Sequence, residues 1–464
     1  MQSRNPDIPM PADAVVLATL TVATLFGIYR LARIDALYGG LGFFFLVYVI
    51  FALIGYRFFP IISQIYNAYF GPELYYSALP FVFLSFLAFY ASTSALHGTL
   101  VGTVQYRVHY QPVAWVRWTG LLLLAAIATW MAYTLSGIYG KISYSANPQI
   151  PDFVYANMFK QVPYFLVLLW VFARHHALSG IERGLAFSLV ALFTGLFLAT
   201  ALKASNRTDI LALVLGIAWY ELAPLTLDSS GRLKFRLNRE IVVRITQLAA
   251  AAAIALLLME FINSSRRSPY TELTVYARLL FNDYYPPAHM LFAAMEFRYI
   301  QPLLVLKSNL ANTLLVGGAL DVPYLQTELG NRLVTGSSTR STGFALYFFG
   351  EGYIAGGRWL GILYNGLVPV IGLALWRRLA RTQDAAYNAL VGALCAMSFA
   401  TVARSGSHLM FRVYLFSLLP YLLCFRIVTG ARLVRQEAPT PPAPDDIPIP
   451  PQRQDASGRV ETLP

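Results

Sequence analysis

The chain has 464 residues, of which 57% are hydrophobic and only 12% charged, with a formal net charge of +12. A soluble globule of this length needs far more charge on its surface, so these proportions exclude one and indicate an integral membrane protein. The basic excess reflects membrane topology rather than nucleic acid, because Lys and Arg stand in short clusters beside apolar stretches instead of on one soluble face.

In chain order the apolar stretches are Ala14–Tyr29, Leu41–Tyr56, Ala78–Leu96, Gly120–Tyr139, Val162–Phe172, Gly184–Leu202, Ile210–Leu227 and Ile241–Ile262. After a polar interval come Gly343–Ile354, Leu360–Trp376, Ala385–Val402 and Leu409–Ile427. Most are long enough to cross a hydrocarbon core of about 30 Å at about 1.5 Å per residue. Val162–Phe172 is short unless residues 155–161 extend it. Alternating strand patterns of about ten residues are absent, and helices satisfy their own backbone groups in hydrocarbon. The predicted fold is all-α: a polytopic transmembrane helical bundle of about 11–12 membrane segments with one long extracytoplasmic loop. Residues 1–435 make up this membrane domain, and the Pro-rich tail 436–464 is expected to be disordered in the cytoplasm. Met1–Asp13 is polar and Pro-rich with no basic n-region, so the first span is expected to stay as an anchor. Cys395 and Cys424 both lie inside apolar spans and imply no disulfide framework.

Basic residues mark the expected cytoplasmic ends of spans: Arg30 and Arg33, Arg107 and Arg117, Arg174 and Arg183, Arg232 to Arg239, Arg377 to Arg381, and Arg426 to Arg435. With 232–239 inside, the span from Ile241 exits outward, the interval 263–342 faces the extracytoplasmic side, and the N-terminus is outside as well. A full crossing by Gly343–Ile354 would put Arg377, Arg378 and Arg381 outside, against the charge rule. A short or re-entrant segment there, with Leu360–Trp376 crossing inward, removes the conflict; the alternative is a tilted full span with one misplaced basic loop, for which a cytoplasmic N-terminus is the more natural. Glu351 agrees with this, since a carboxylate is costly at bilayer depth unless it faces a polar cavity.

The interval 263–342 is the one long polar stretch between apolar spans, and it carries Arg266, Arg267, Arg278 and Arg340. A second polar point is LysAlaSerAsnArgThrAsp at 203–209, a tight turn that holds Lys203, Arg207 and Asp209 at the outer surface. Snorkelling anchors with an N-cap are the simpler reading of that turn; an anion site is the functional one. A guanidinium fork can hold two phosphate oxygens and stays charged under all conditions, which makes these arginines candidates for gripping a diphosphate. AsnAspTyrTyrProProAlaHis at 282–289 predicts the start of a helix with its prolines in the first turn. It reads as a capped interfacial helix, or as a sugar platform in which Tyr284 and Tyr285 stack on pyranose faces while Asp283 or His289 supplies hydrogen bonds or a base. Glu351 and His408 are ionisable groups inside or at the end of apolar spans, and such groups are functional candidates. Glu221 and Glu260 are placed comparably and are expected to cap or pair. No HisGluXaaXaaHis, Cys pair, phosphate loop, Rossmann fingerprint or acidic pair after the first span occurs, so neither a metal nor a cofactor is expected.

The many spans, ArgThrAspIleLeuAlaLeuValLeuGly at 207–216, the late outward loop and SerThrGlyPheAlaLeuTyrPhePheGlyGluGlyTyrIleAlaGlyGly at 341–357 resemble O-antigen or oligosaccharide repeat-unit polymerases of the Wzy type. The resemblance covers most of the chain as architecture but only some thirty residues as motif. It implies a metal-independent, inverting glycosyl transfer between undecaprenyl-diphosphate-linked oligosaccharides at the periplasmic face of a bacterial inner membrane, beside flippase and chain-length regulator proteins. Arg207 matches the family's arginine between spans, and Arg266, Arg267, Arg278 or Arg340 would supply the loop arginine. Ser341 and Thr342 stand where the related ligases carry a histidine, so the general base is open among Glu351, Asp283, His289 and His408. A polysaccharide ligase, or a transporter or flippase of lipid-linked sugar, is the alternative.

Overall fold

The computed structural model describes residues 11–50, 72–102, 106–111, 114–140, 160–175, 178–204, 207–228, 231–234, 239–247, 285–314, 347–379 and 384–435, with single positions at 250, 254, 322, 325 and 382. They fold almost entirely as helices, since hydrocarbon offers no partner to an unpaired backbone N–H or C=O. In order these are α1 (Pro11–Ile34), α2 (Ala36–Phe45, continued by a π turn), α3 (Pro72–Val101), α4 (Ala114–Gly140), α5 (Val162–Arg174), α6 (Gly180–Ala204) and α7 (Arg207–Thr226). Then come α8 (239–247), α9 (Tyr285–Glu296), α10 (Pro302–Thr313), α11 (Phe348–Leu379), α12 (Ala385–Ser405) and α13 (His408–Thr429). Eight helices among the described residues are long and apolar enough to cross a membrane, and two shorter apolar ones accompany them. The chain is an all-α polytopic bundle. Two short strands, β1 (Tyr106–Tyr110) and β2 (Ala431–Arg435), pair antiparallel with Tyr106 opposite Arg435.

One end of the bundle gathers the basic residues. Asp35, which caps α2, lies against Arg377 near the end of α11. The amide of Ala36 donates to the Gly231 carbonyl, Leu233 donates to Ala32, and Arg378 Nε donates to the Leu100 carbonyl at 2.7 Å. Tyr110 of β1 packs edge-on against His175, just past Arg174, and Arg107 and Arg432 sit on the paired strands. These contacts tie Arg33, Arg107, Arg174, Arg232, Arg377 and Arg432 to a single end. α1 enters from the opposite end, the relation the charge clusters require.

The parity conflict at 343–354 is resolved by a hairpin. α11 is broken at Gly356 and Gly357, where Gly357 adopts φ +68 and ψ −151, a conformation that favours glycine. The short arm 348–355 folds back along the long arm 358–379, which is about 33 Å long at about 1.5 Å per residue. Close approach of the arms needs small residues: a Cβ on Gly361 would lie 2.7 Å from the Gly352 carbonyl oxygen, and one on Gly352 would meet the Asn365 amide at 2.1 Å. The long arm runs parallel to α3, through Arg358 donating to Ser77 at one end, Asn365 Nδ2 to Ser85 Oγ at 3.0 Å in the middle, and Arg378 to Leu100 at the other. Gly361→Val should wedge the hairpin apart and destabilise the protein by about 1–3 kcal/mol, as overpacking does. A thermal melt of the purified protein checks this, with Leu363→Val, on the 56% exposed lipid-facing side, as the silent control.

Within the polar interval, α9 starts at Tyr285 with Pro286 and Pro287 in its first turn, as expected. Its middle is buried rather than interfacial: Leu291, Phe292, Ala293 and Ala294 are at most 1% exposed. The chain then turns at Arg298 (φ 44), and Gln301 N donates to the Ile354 carbonyl at 2.8 Å, docking α10 on the end of the short arm.

Candidate functional site

Glu351 is the focus of a polar cluster inside this apolar bundle. It sits on the short arm, is 1% exposed, and accepts four hydrogen bonds. Its Oε1 accepts from Asn309 Nδ2 at 2.6 Å, from Ser407 Oγ at 2.6 Å and from the Tyr364 hydroxyl; its Oε2 accepts from the Ser407 backbone N–H at 2.8 Å. The neutral partners also meet each other, with Tyr364 OH 2.8 Å from Ser407 Oγ and Asn309 Nδ2 donating to both hydroxyl oxygens at 3.2 and 3.1 Å. A buried carboxylate is tolerable only when it is hydrogen-bonded in this way.

Four elements bring these groups together. α10 supplies Asn309, the two arms of α11 supply Glu351 and Tyr364, and the turn from α12 to α13 supplies Gly406 and Ser407. That turn is tight because Gly406 has φ +111 and because a Cβ there would lie 2.0 Å from Glu351 Oε2. Only glycine lets the backbone close on the carboxylate. Along the long arm, Tyr364 is about 9 Å from Arg358 and about 20 Å from Arg377, so the cluster lies in the half of the bundle away from the basic end. Above it, Arg298 and Arg358 are exposed beside the Gly356–Gly357 turn that closes the hairpin.

Of the residues singled out by sequence, the structure brings Glu351 and His408 together. His408 is 7% exposed beside Ser407, and its carbonyl accepts from Thr313 Oγ1 at 3.4 Å. Lys203 lies near the end of α6 and Arg207 opens α7, so the turn between them is as short as expected; their side chains lie outside the described residues. Tyr285 and His289 lie on the first turns of α9, again without described side chains. Arg266, Arg267, Arg278, Asp283, Tyr284 and Arg340 fall outside the described residues altogether. Sequence reading missed Asn309, Tyr364, Ser407 and Arg358. Ser407 lay one step from the candidate residue His408, and Arg358 directly follows the Gly356–Gly357 pair that ends the resemblance.

Among the described residues no group of three or more His, Cys, Asp or Glu could hold a metal ion. An open pocket lies at the basic end, lined among others by Asp35, Trp219, Asp228, Arg377 and Asn388. There Asp35 is paired with Arg377, and Asn388 exchanges hydrogen bonds with Thr382. Chemistry is better supported at Glu351, where a carboxylate and two hydroxyls share protons beneath two exposed guanidiniums. Comparison of the chain with known protein families, with curated proteins and with solved structures returns no match.

Proposed function

We propose that the protein is a membrane glycosyltransferase that joins lipid-diphosphate-linked oligosaccharide repeat units on the extracytoplasmic face. Support comes chiefly from one observation: Glu351, almost fully buried on a re-entrant hairpin, is linked through Tyr364 and Ser407 to the half of the bundle opposite the basic end. By the charge rule the basic end is cytoplasmic, which makes the Glu351 half the outer one. In this reading an acceptor sugar hydroxyl attacks the anomeric carbon of the donor. The new C–O bond forms as the bond to the diphosphate breaks, inverting the centre. The hydroxyl proton passes to Tyr364 or Ser407, both neighbours of Glu351 Oε1, and through them to the carboxylate. Asn309 and the Ser407 amide are positioning groups that hold the carboxylate in place. Arg298 and Arg358, together with Arg207 and the loop arginines Arg266, Arg267, Arg278 and Arg340, offset the charge of the departing diphosphate.

A transporter of lipid-linked sugar is the second reading, favoured by two helix hairpins, turning at Gly356–Gly357 and at Gly406, that meet at a buried carboxylate. Deletion of the gene in its native cell separates the two. A polymerase defect leaves single lipid-linked repeat units accumulating in the outer leaflet, whereas a transport defect leaves them in the inner leaflet. Inner-leaflet accumulation overturns the glycosyltransferase proposal.

A further inference from the structure

Glu221, near the basic end of α7, behaves as a pairing residue, as its sequence position suggested, but its partners are under-used. Its side chain is 13% exposed, and Trp170 Nε1 donates to Oε1 at 2.9 Å. Two arginines bracket it, Arg174 Nη2 at 3.4 Å from Oε1 and Arg244 Nη1 at 3.3 Å from Oε2. Neither approach is a hydrogen bond. Arg174 lies 5.2 Å over the Trp170 ring, and among the described residues neither guanidinium donates a hydrogen bond to the protein. Their side chains are 41% and 33% exposed, so these donors are available from outside.

The wall beside this pair is apolar and open: Phe187 of α6, which meets Trp170 edge-on at 6.1 Å, is 44% exposed. The site combines side chains that suit hydrocarbon with two cations and one anion, a net charge of +1. We infer that Arg174 and Arg244, bridged by Glu221, bind the phosphate of an anionic phospholipid in the leaflet at the basic end. One phosphodiester monoanion balances the net charge. Each guanidinium can give it hydrogen bonds in a fixed fork geometry, and an acyl chain lies against Phe187 beside Trp170. Glu221 keeps the two cations side by side when the lipid is absent. Basic pockets between helices at the cytoplasmic surface take anionic headgroups for the same reason.

Native mass spectrometry of the full-length protein with added phosphatidylglycerol or phosphatidylcholine tests the assignment. Wild type should retain phosphatidylglycerol in preference to phosphatidylcholine. At a gain of about 5-fold per arginine near the surface, the Arg174→Gln/Arg244→Gln pair should weaken phosphatidylglycerol binding about 25-fold. Glu221→Gln, which raises the local charge, should bind at least as tightly as wild type, and Arg432→Gln on β2 should leave binding unchanged. Should the double variant fail to fold, Arg244→Gln alone carries the comparison at about 5-fold. Equal binding by the arginine variants overturns the site. Displacement of the lipid by millimolar inorganic phosphate reassigns it to a free anion and overturns the lipid.

Discussion

If the proposed glycosyl transfer holds, Glu351→Gln should leave a folded protein that has lost polymerisation. The reasoning rests on which groups can turn around. Glutamine can place its oxygen at the Oε2 position, where the Ser407 amide must donate, and its nitrogen at the Oε1 position. That nitrogen has two hydrogens, so two of its three neighbours there can be satisfied, the Tyr364 and Ser407 hydroxyls by rotating to accept or Asn309 by flipping to present its oxygen, and most of the latch between the two hairpins survives. What glutamine cannot do is take up a proton from the acceptor hydroxyl. The variant should therefore keep its thermal midpoint within a few degrees of wild type while product formation falls by at least about 100-fold, the lower range for general base catalysis. Glu351→Ala should lose both, because it strands buried donors at about 1–3 kcal/mol each. The measurement is polymer ladder length from membranes supplied with lipid-linked repeat units, alongside a melt of each variant. A Gln variant that polymerises at the wild-type rate would remove the proton role and leave Glu351 as a latch only.

Asp35→Ala should be the most destabilising single change outside that site. Asp35 is 1% exposed and Arg377 is 7% exposed, with Oδ2 2.6 Å from Nε. The contact is an ion pair rather than an aligned hydrogen bond, since Oδ2 has no donor pointed at it. Oδ1 also accepts from Leu37 N at 3.0 Å and so caps α2. Removing the carboxylate breaks a buried ion pair, at a cost of about 3–5 kcal/mol, and removes a cap as well. The paired change Asp35→Asn with Arg377→Met should cost less than Asp35→Ala alone, because it removes both charges and asparagine can still cap. Denaturation midpoints of the single and paired variants decide the matter. If Asp35→Ala melts with wild type, the pair does not brace this end of the bundle.

Much of the fold was legible because hydrocarbon imposes a simple rule on sequence. The stretches around α3, α4, α6, α7, α12 and α13 were readable as spans from length and apolarity alone, and the basic clusters named one end correctly. Parity also favoured a re-entrant arm over a tilted full span, since Glu351 and the short run before Gly356 fit the basic cluster at Arg377 more simply that way. The cluster was less legible. Asn309, Tyr364 and Ser407 are neutral residues drawn from three separate parts of the chain, and nothing in their local sequence says that they converge. Apolar α9, with Leu291 to Ala294 buried, likewise gave no local sign that it enters the bundle instead of lying along its surface.

By itself, the sequence determined that this is a helical membrane protein, which end of each span is basic, and that Glu351 needs a polar setting, because each of these depends on composition or on the cost of burying charge. Only the tertiary structure decided what that setting is. Hydrogen bonds between Asn309, Glu351, Tyr364 and Ser407 depend on two hairpins meeting to within about 3 Å, and such contact geometry follows from packing around Gly352, Gly361 and Gly406 rather than from any local pattern.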